Sequence, residues 1–430
     1  MKNNPSFQFK PFSRKQKKVL SWWCDKSPVK EMDGIIADGA IRSGKTLSMA
    51  ISYVLWAMTN FEGHNFGMCG KTIGSFRRNV VIWLKIALKG RGYQIKDNRS
   101  ENVLYISTGS TTNAFYIFGG KDERSQDLVQ GITLAGAFFD EVALMPKSFV
   151  EQATGRCSVE GSKYWFNCNP RGPMHWFKLE WIDKASDKNI IYLHFDMEDN
   201  LSLSERIKKR YRKMYAGVFF KRYILGLWVA AEGAIYGMFD PNRMIVDWLP
   251  EMRRYWIGID YGHSNATVFL LIGEGIDNNQ YAIDEYYHSG RETENAKSPV
   301  RYAKDFAIWA KNTLGKDAHK LVRIYIDPSA LGFKEQLKEE GIRGIRDADN
   351  AVYEGIMLTE SIVDSGIFYA HRRCKNLIRE IPNYTWDTKA QAQGKDKPVK
   401  DADHALDAWR YVIMGERRYW ERRVANVKPA

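Results

Sequence analysis

Residues 33–46 read DGIIADGAIRSGKT: an apolar run, a loop bounded by glycines, and the opening of a helical pattern. Within it Gly39-Ala40-Ile41-Arg42-Ser43-Gly44-Lys45-Thr46 is a complete GxxxxGK[ST] sequence, following a strand (Ile35, Ile36) and preceding a helix expected over Thr46 to Thr59. The flanking strand and helix supply the context in which this motif carries meaning. Gly39 and Gly44 let backbone N–H groups, that of Ser43 among them, turn inward around phosphate oxygens at a helix N-terminus. Lys45 is placed to reach the β- and γ-phosphates of ATP, and Thr46 to ligate Mg²⁺.

Such a loop needs a second acidic element. Leu134 to Phe139 (LAGAFF) is an apolar run ending in Asp140-Glu141, as expected for a buried strand that presents Asp140 to the Mg²⁺ shell and Glu141 to the attacking water. Arg42, inside the loop, is a candidate finger for the γ-phosphate in cis, and Arg156 is a candidate in trans if copies of the chain form a ring. The alternative for each is a solvated surface charge, evenly matched with the finger reading for Arg156 and the weaker reading for Arg42. Asn169, in Asn167-Cys168-Asn169-Pro170 after another apolar strand, is placed to sense the γ-phosphate, although an Asn-Pro turn there is also routine. Gln16, preceded by Phe12, is a candidate reader of the adenine edge.

Working outward, short apolar runs at 65–70, 114–118, 163–167 and 190–194 read as further strands, with a helix over Phe76 to Lys89 between the first two. The stretch Leu201 to Trp228 carries Arg206, Lys208, Lys209, Arg210, Arg212, Lys213, Lys221 and Arg222, and Glu232 to Pro250 mixes Gly and Pro with isolated hydrophobes as a linker would. A second set of strands follows at 255–260, 267–272, 280–286 and 322–326. The expected domains are therefore 1–245 and 246–430. Charge divides at the same place: of the net +13, an excess of twelve cations falls in residues 1–240 and one in 241–430. A basic first half suits a polyanionic partner, and a hydrophobic content of 44% excludes intrinsic disorder. Five cysteines without a CxxC pair argue against both a disulfide framework and a zinc finger. The basic, polar N-terminus is not expected to be a signal peptide, and no apolar run approaches the length of a membrane helix.

Three carboxylates stand out in the second half. Asp260 ends one strand, Asp327 ends another, and Asp407 lies in Asp403-His404-Ala-Leu-Asp407-Ala-Trp-Arg-Tyr411, where helical spacing puts His404 and Asp407 on one face. Brought together, such acids can clamp two Mg²⁺ or Mn²⁺ ions about 4 Å apart to activate water and stabilise a leaving oxygen. Hard oxygen donors and the scarcity of Cys/His clusters argue against zinc. Asp284 and Glu285 are rivals for the middle position, and Asp403 is a further candidate or a helix cap.

The phosphate loop with an internal Arg, the Asp-Glu pair, the Asn-Pro turn, the hinge, and strand-borne Asp residues ending in DHALDAWRY together resemble the large terminase subunit of tailed bacteriophages, on the branch with headful-packaging relatives of Bacillus phages. The resemblance runs from about Phe12 to Tyr411. It implies an α/β chain in which a RecA-like P-loop ATPase domain precedes an RNase H/resolvase-like nuclease domain. Lys45, Thr46, Asp140 and Glu141 would be the Walker residues, Asn169 the coupling residue, and Asp260, Asp327 and Asp407 the metal ligands. The implied work is packaging of double-stranded DNA into a procapsid and cutting of the concatemer. The implied partners are a small terminase subunit, the portal protein and further copies in a ring, typically pentameric. The implied place is the host cytoplasm, transiently on the procapsid, with no membrane. A repair helicase-nuclease would require a second RecA-like domain, for which the chain has no room. A transposase or resolvase would require a sequence-reading helix-turn-helix, which is not evident.

Overall fold

The six residues of β1 (Gly34–Gly39) are all buried, which is how a strand with covered faces on both sides of a parallel sheet must read. They lie between β7 and the edge strand β8 in a sheet ordered β3-β4-β5-β2-β6-β7-β1-β8 in the computed structural model, which describes residues 10–262, 266–289, 297–400 and 403–427. The other strands are β2 (Asn65–Gly70), β3 (Gln94–Asn98), β4 (Val103–Thr108), β5 (Thr111–Gly119), β6 (Gly136–Phe139), β7 (Lys163–Asn167) and β8 (Ile190–Phe195). From β5 to β8 all neighbours are parallel, while β3 and β4 extend the sheet as an antiparallel hairpin. Because β1, β6 and β7 run side by side in one direction, the ends that carry the phosphate loop, Asp140 and Asn167 come out on one edge, where ligands of open α/β sheets bind.

Helices cover both faces. α1 (Arg14–Ser21) is closed at its start by a reciprocal capping box between Ser13 and Gln16. α2 (Lys45–Asn60) buries Met49, Ala50, Tyr53, Val54 and Ala57, an apolar stripe of helical period that packs on the sheet. At its centre Trp165 of β7 meets Trp22, Trp56 and Tyr53 with ring centroids 5.0, 4.8 and 5.3 Å apart. α3 (Lys147–Gly155) belongs to the core on the opposite face.

The second unit has a different sheet, ordered β14-β13-β10-β11-β12-β15-β9. β10 (Met252–Asp260), β11 (Ala266–Gly275) and β12 (Gln280–Ser289) form an antiparallel meander. On one side of it β13 (Leu321–Ile326) and β14 (Ile345–Asp347) run parallel to β10, and on the other β15 (Phe368–His371) and β9 (Ile245–Val246) run parallel to β12. α4 (Val352–Asp364), α5 (Lys375–Asn383) and α6 (His404–Gly415) follow in the chain.

The units divide upstream of the expected boundary at 245. One holds the residues up to Lys208 with Phe220–Ala230 and Ala392–Lys395; the other holds Lys209–Phe219, Ala231–Gln391 and the residues from Asp396 onward. The physical reason is hydrogen bonding: Ala234 bridges Thr385, and β9 pairs with β15, so the Gly- and Pro-containing stretch read as a linker is built into the second unit. The run of eight cations is also not one surface. Arg222 is fully buried, with Nε and Nη2 donating to the Val229 carbonyl at 3.0 and 2.6 Å, and Lys208 is buried against Glu198 and Glu205. The basic C-terminal segment forms a helix (Arg417–Asn426) in which Arg417 pairs with Glu421; Lys428 lies outside the described residues.

α6 approaches β10 closely enough that one glycine decides the distance. A Cβ on Gly258 would stand 1.9 Å from the Ala408 carbonyl oxygen, a backbone atom that cannot swing aside. Gly258→Ala should therefore destabilise the second unit by about 1–3 kcal/mol. Thermal melting will show this beside Gly237→Ala, whose nearest neighbour is 3.5 Å away, as a neutral control.

Glu360 on α4 is buried, and its Oε2 has no hydrogen-bond partner among the described residues. Burial, with Asp364 nearby, pushes its carboxyl from 4.5 up to about 9. Between those values the folded chain holds a proton that the unfolded chain has released, so this group's contribution to stability falls as pH rises, by up to about 1.4 kcal/mol per pH unit. Glu360→Gln should flatten the decline in melting temperature between about pH 5 and pH 9. An unchanged slope would count against a buried proton.

Candidate functional site

The phosphate loop owes its shape to two left-handed glycines, Gly39 at φ +121° and Gly44 at φ +85°. Gly39 also passes so close to β8 that a Cβ would lie 1.9 Å from the Phe195 carbonyl oxygen. The loop is closed on its own lysine: Lys45 Nζ donates to Gly39 O (3.0 Å), Ala40 O (2.6 Å), Ser43 Oγ (3.1 Å) and Asn169 Oδ1 (3.2 Å). Ser43 Oγ in turn donates to Ala40 O at 2.9 Å. Burial pushes the ammonium down to about 8 against the pull of Asp38, Asp140 and Glu141. A triphosphate entering here meets a cation whose charge water does not screen.

Thr46 Oγ1 donates to Asp140 Oδ1 at 2.9 Å, so the two groups expected to share Mg²⁺ already touch. Burial raises the Asp140 carboxyl despite hydrogen bonds from Asn167 and Thr46. Glu141 is raised too, by burial and then by Asp140, with Lys71, Arg171 and Lys45 opposing. Its backbone sits in the left-handed region at φ +60°, a conformation costing on the order of 1–3 kcal/mol for a non-glycine residue. Asn167 holds that turn: its Oδ1 accepts from the Glu141 N–H at 3.1 Å and its Nδ2 donates to Asp140 Oδ1 at 2.9 Å. Sequence reasoning placed Asn169 in the site and passed over Asn167, although the same Asn-x-Asn-Pro stretch contained both. Asp38 was missed as well. It is buried beneath the loop, accepts from Trp228 Nε1 at 2.6 Å and faces His194 Nδ1 at 3.0 Å.

Gln16 is buried beside the loop, with Oε1 taking the Ser13 N–H at 3.0 Å and Nε2 3.5 Å from Gly44 O. Arg42 is in the loop at φ +57°, its carbonyl accepting from Asn200 Nδ2 at 2.6 Å. Arg156 is elsewhere. Its carbonyl accepts from Leu134 N–H at 2.9 Å, at the opposite end of β6 from Asp140, about 20 Å away at strand rise. It therefore does not reach the nucleotide site of its own chain.

In the second unit the register does the assembling. Ile259 of β10 is paired with Ile326 of β13 in parallel, so the next residues, Asp260 and Asp327, leave adjacent strands side by side. Tyr411 of α6 joins them, its hydroxyl 3.5 Å from Asp260 Oδ1 and 3.2 Å from Asp327 Oδ2. His404 Nδ1 meets Asp260 Oδ2 at 2.8 Å, and this bond raises the imidazole against its burial. Burial, outweighing His404, raises Asp260, with the like charges of Asp407 and Asp327 adding to it. Burial would raise Asp327 also, but hydrogen bonds from Ser329, Asn350 and Tyr411 hold it below its ordinary value. Two neighbouring acids are thus driven apart in affinity for a proton. Asp403 is pushed up to about 6 by burial and by Asp407.

Asp407 is turned to Arg410, which donates from Nη2 at 2.7 Å. Among the described residues no three His, Cys, Asp or Glu side chains close around one point as a metal shell. Like charges spread when only Tyr411, His404 and Arg410 divide them. The donors nevertheless fit a hard divalent ion: oxygen ligands, a buried Asp260 raised by burial and by its acidic neighbours, and an Asp327 held in its charged form by hydrogen bonds. The rivals are committed elsewhere. Asp284 accepts from Trp309 Nε1 at 3.0 Å, and Glu285 Oε1 and Oε2 accept the Asn376 and Leu377 N–H groups at the start of α5 at 2.6 and 3.0 Å. No helix among the described residues is long and apolar enough to cross a membrane, and all five cysteines are free.

A family model described as terminase large subunit, T4likevirus-type, N-terminal, matches residues 36–243. The curated large-subunit terminase of Escherichia phage T5 is 24% identical over 358 residues, spanning 79% of this chain and 77% of that protein. Among solved structures, the large terminase of a thermophilic bacteriophage is 51% identical, covers 94% of this chain and 98% of its own, and superposes with a TM-score of 0.87. The same phage protein in complex with ATP-gamma-S is 50% identical over the same shares, with a TM-score of 0.85. With half its residues shared across nearly the full length of both chains, and one two-unit α/β architecture between them, this protein belongs to the large terminase subunits of tailed bacteriophages.

Proposed function

We propose that the two sites divide the labour of a packaging enzyme. As a large terminase, the chain is an ATP-driven DNA-packaging motor. Its first unit hydrolyses ATP to move double-stranded DNA, and its second cuts the concatemer at the Asp260, Asp327 and Asp407 cluster. The observation that carries the first assignment is the Thr46–Asp140–Asn167–Glu141 chain of hydrogen bonds, which ties both Walker acids to the phosphate loop. The thermophilic phage's large terminase, similar over its whole length, was captured with ATP-gamma-S.

At the ATP site Lys45 exchanges its loop carbonyls and Asn169 for phosphate oxygens, and that exchange is the local event that reports nucleotide arrival. Thr46 and Asp140 are the residues that would hold Mg²⁺, which supplies charge neutralisation across the phosphates. Glu141, held in a strained turn by Asn167, orients the attacking water. Its raised carboxyl suits a group that handles a proton. Arg42 is the finger available within the chain, while Arg156 could act only on a neighbouring copy. Gln16, beside Gly44, is placed for the base.

In the second unit Asp260, Asp327 and Asp407 would hold two Mg²⁺ or Mn²⁺ ions, which supply an activated water and stabilise the departing oxygen. Asp327 is the middle ligand on this reading, because Tyr411 links it to Asp260 whereas Asp284 and Glu285 are bound to Trp309 and α5. His404 orients the Asp260 carboxylate. Assembly as a ring, with a small terminase subunit for delivery and a portal for docking on a procapsid in the host cytoplasm, completes the proposal.

Lys45→Ala should lower DNA-stimulated ATP hydrolysis by at least about 100-fold while leaving Mn²⁺-dependent plasmid cleavage within a factor of a few. Asp260→Asn should do the reverse. Steady-state ATPase and plasmid-nicking assays on the full chain decide the matter, and equal loss of both activities in a folded variant would refute separate sites.

A further inference from the structure

Two helices beside the carboxylate cluster lack caps of their own. The residues preceding α5 and α6, Cys374 and Asp403, make no side-chain hydrogen bond to the helices they open. The first amides of a helix otherwise go unpaired, which is costly when they are buried. In both cases a glutamate from a neighbouring element takes them. Glu285 of β12 accepts from the Asn376 and Leu377 N–H groups, and Glu380 of α5 accepts from Ala405 N–H (2.8 Å) and Leu406 N–H (3.1 Å) with a single oxygen, Oε2. Glu380 is 2% exposed, and its Oε1 has no hydrogen-bond partner among the described residues. With Oε1 idle, the hydrogen bonds that offset the burial of this carboxyl are those its Oε2 makes.

What it holds is the first turn of α6. That turn starts at His404, which bonds Asp260, and the following turns carry Asp407 and Tyr411, which contacts both Asp260 and Asp327. We infer that Glu380 is a positioning residue for this site: by fastening the Ala405 and Leu406 amides it sets how far α6 projects toward Asp260, and Glu285 fastens α5 in the same manner one step further back. The inference rests on the nuclease reading of the cluster. A shift of α6 along its axis by a fraction of a turn would carry His404, Asp407 and Tyr411 together away from Asp260 and Asp327, so the effect should fall on metal binding rather than on DNA affinity.

The test uses the full chain. Glu380→Ala should raise both the Mn²⁺ concentration for half-maximal plasmid cleavage and the calorimetric Mn²⁺ dissociation constant by roughly 10- to 100-fold. It should also speed amide exchange at residues 405 and 406 without metal, and leave the KM for DNA and the rate of ATP hydrolysis unchanged. Glu380→Gln keeps an oxygen that accepts both N–H groups and should stay within about threefold of wild type. If the Ala variant melts below the assay temperature, Glu380→Asp, one methylene too short to reach both amides, replaces it under the same expectations. Wild-type Mn²⁺ affinity in the Ala variant despite fast exchange at 405 and 406 would overturn the inference, as would a Gln variant as impaired as Ala. A wild-type chain that neither binds Mn²⁺ nor cuts DNA would overturn the nuclease reading and this inference with it. That outcome is distinguishable, because failure of the inference alone leaves the wild type active.

Discussion

Lys45, Asp140 and Asp260 are ionisable groups withdrawn from water at or just beyond the carboxyl ends of strands, and burial opposes the charged form of each. Holding charge in such places is tolerable only where polar groups are fixed around it in advance. In the first unit the loop carbonyls and Asn169 surround Lys45, and Thr46 and Asn167 surround Asp140. In the second, His404 and Tyr411 surround Asp260. The remaining architecture serves to bring these polar partners from distant parts of the chain to the strand ends.

The units solve the problem with different signs. The nucleotide site sets a buried cation among Asp38, Asp140 and Glu141, so Lys45 has acids beside it before any nucleotide arrives. The carboxylate site gathers acids that, among the described residues, have His404 and Arg410 as cationic partners; burial, with their mutual repulsion, raises Asp260 and Asp403, and Asp407 is turned aside to Arg410. A divalent ion, as proposed above, would relieve this arrangement. The near balance of cations and acids in residues 241–430 is in keeping with the metal-dependent cutting site proposed above, which would draw its positive charge from bound ions.

Much of this was legible in advance where physical chemistry acts locally. The phosphate loop, the apolar strand ending in Asp140-Glu141, and the strand ends at Asp260 and Asp327 were found because buried parallel strands need continuous apolar runs and reactive residues follow them. The strand β3 was not found: Gln94–Asn98 is an edge strand with no buried residue, so no run of apolar residues marks it. Within the cation run 206–222 Arg222 is buried, which its sequence does not announce, because a buried arginine reads like an exposed one until its carbonyl partner, Val229, is known. The linker reading of 232–250 failed for a similar reason, since pairing of β9 with β15 spans more than a hundred residues.

Sequence alone determined which residues could carry the chemistry: the Gly39–Thr46 loop, the acids that follow strands, and the His404-x-x-Asp407 helix face. These depend on spacing within one element, and spacing is written in the chain. Tertiary structure alone decided which of them meet. It placed Asp327 rather than Asp284 or Glu285 beside Asp260, carried Arg156 to the far end of the sheet, and brought Asn167 and Glu380 into roles no motif announces. Those outcomes turn on strand register and on a helix lying against Gly258, contacts between residues far apart in sequence whose free energies belong to the folded chain as a whole.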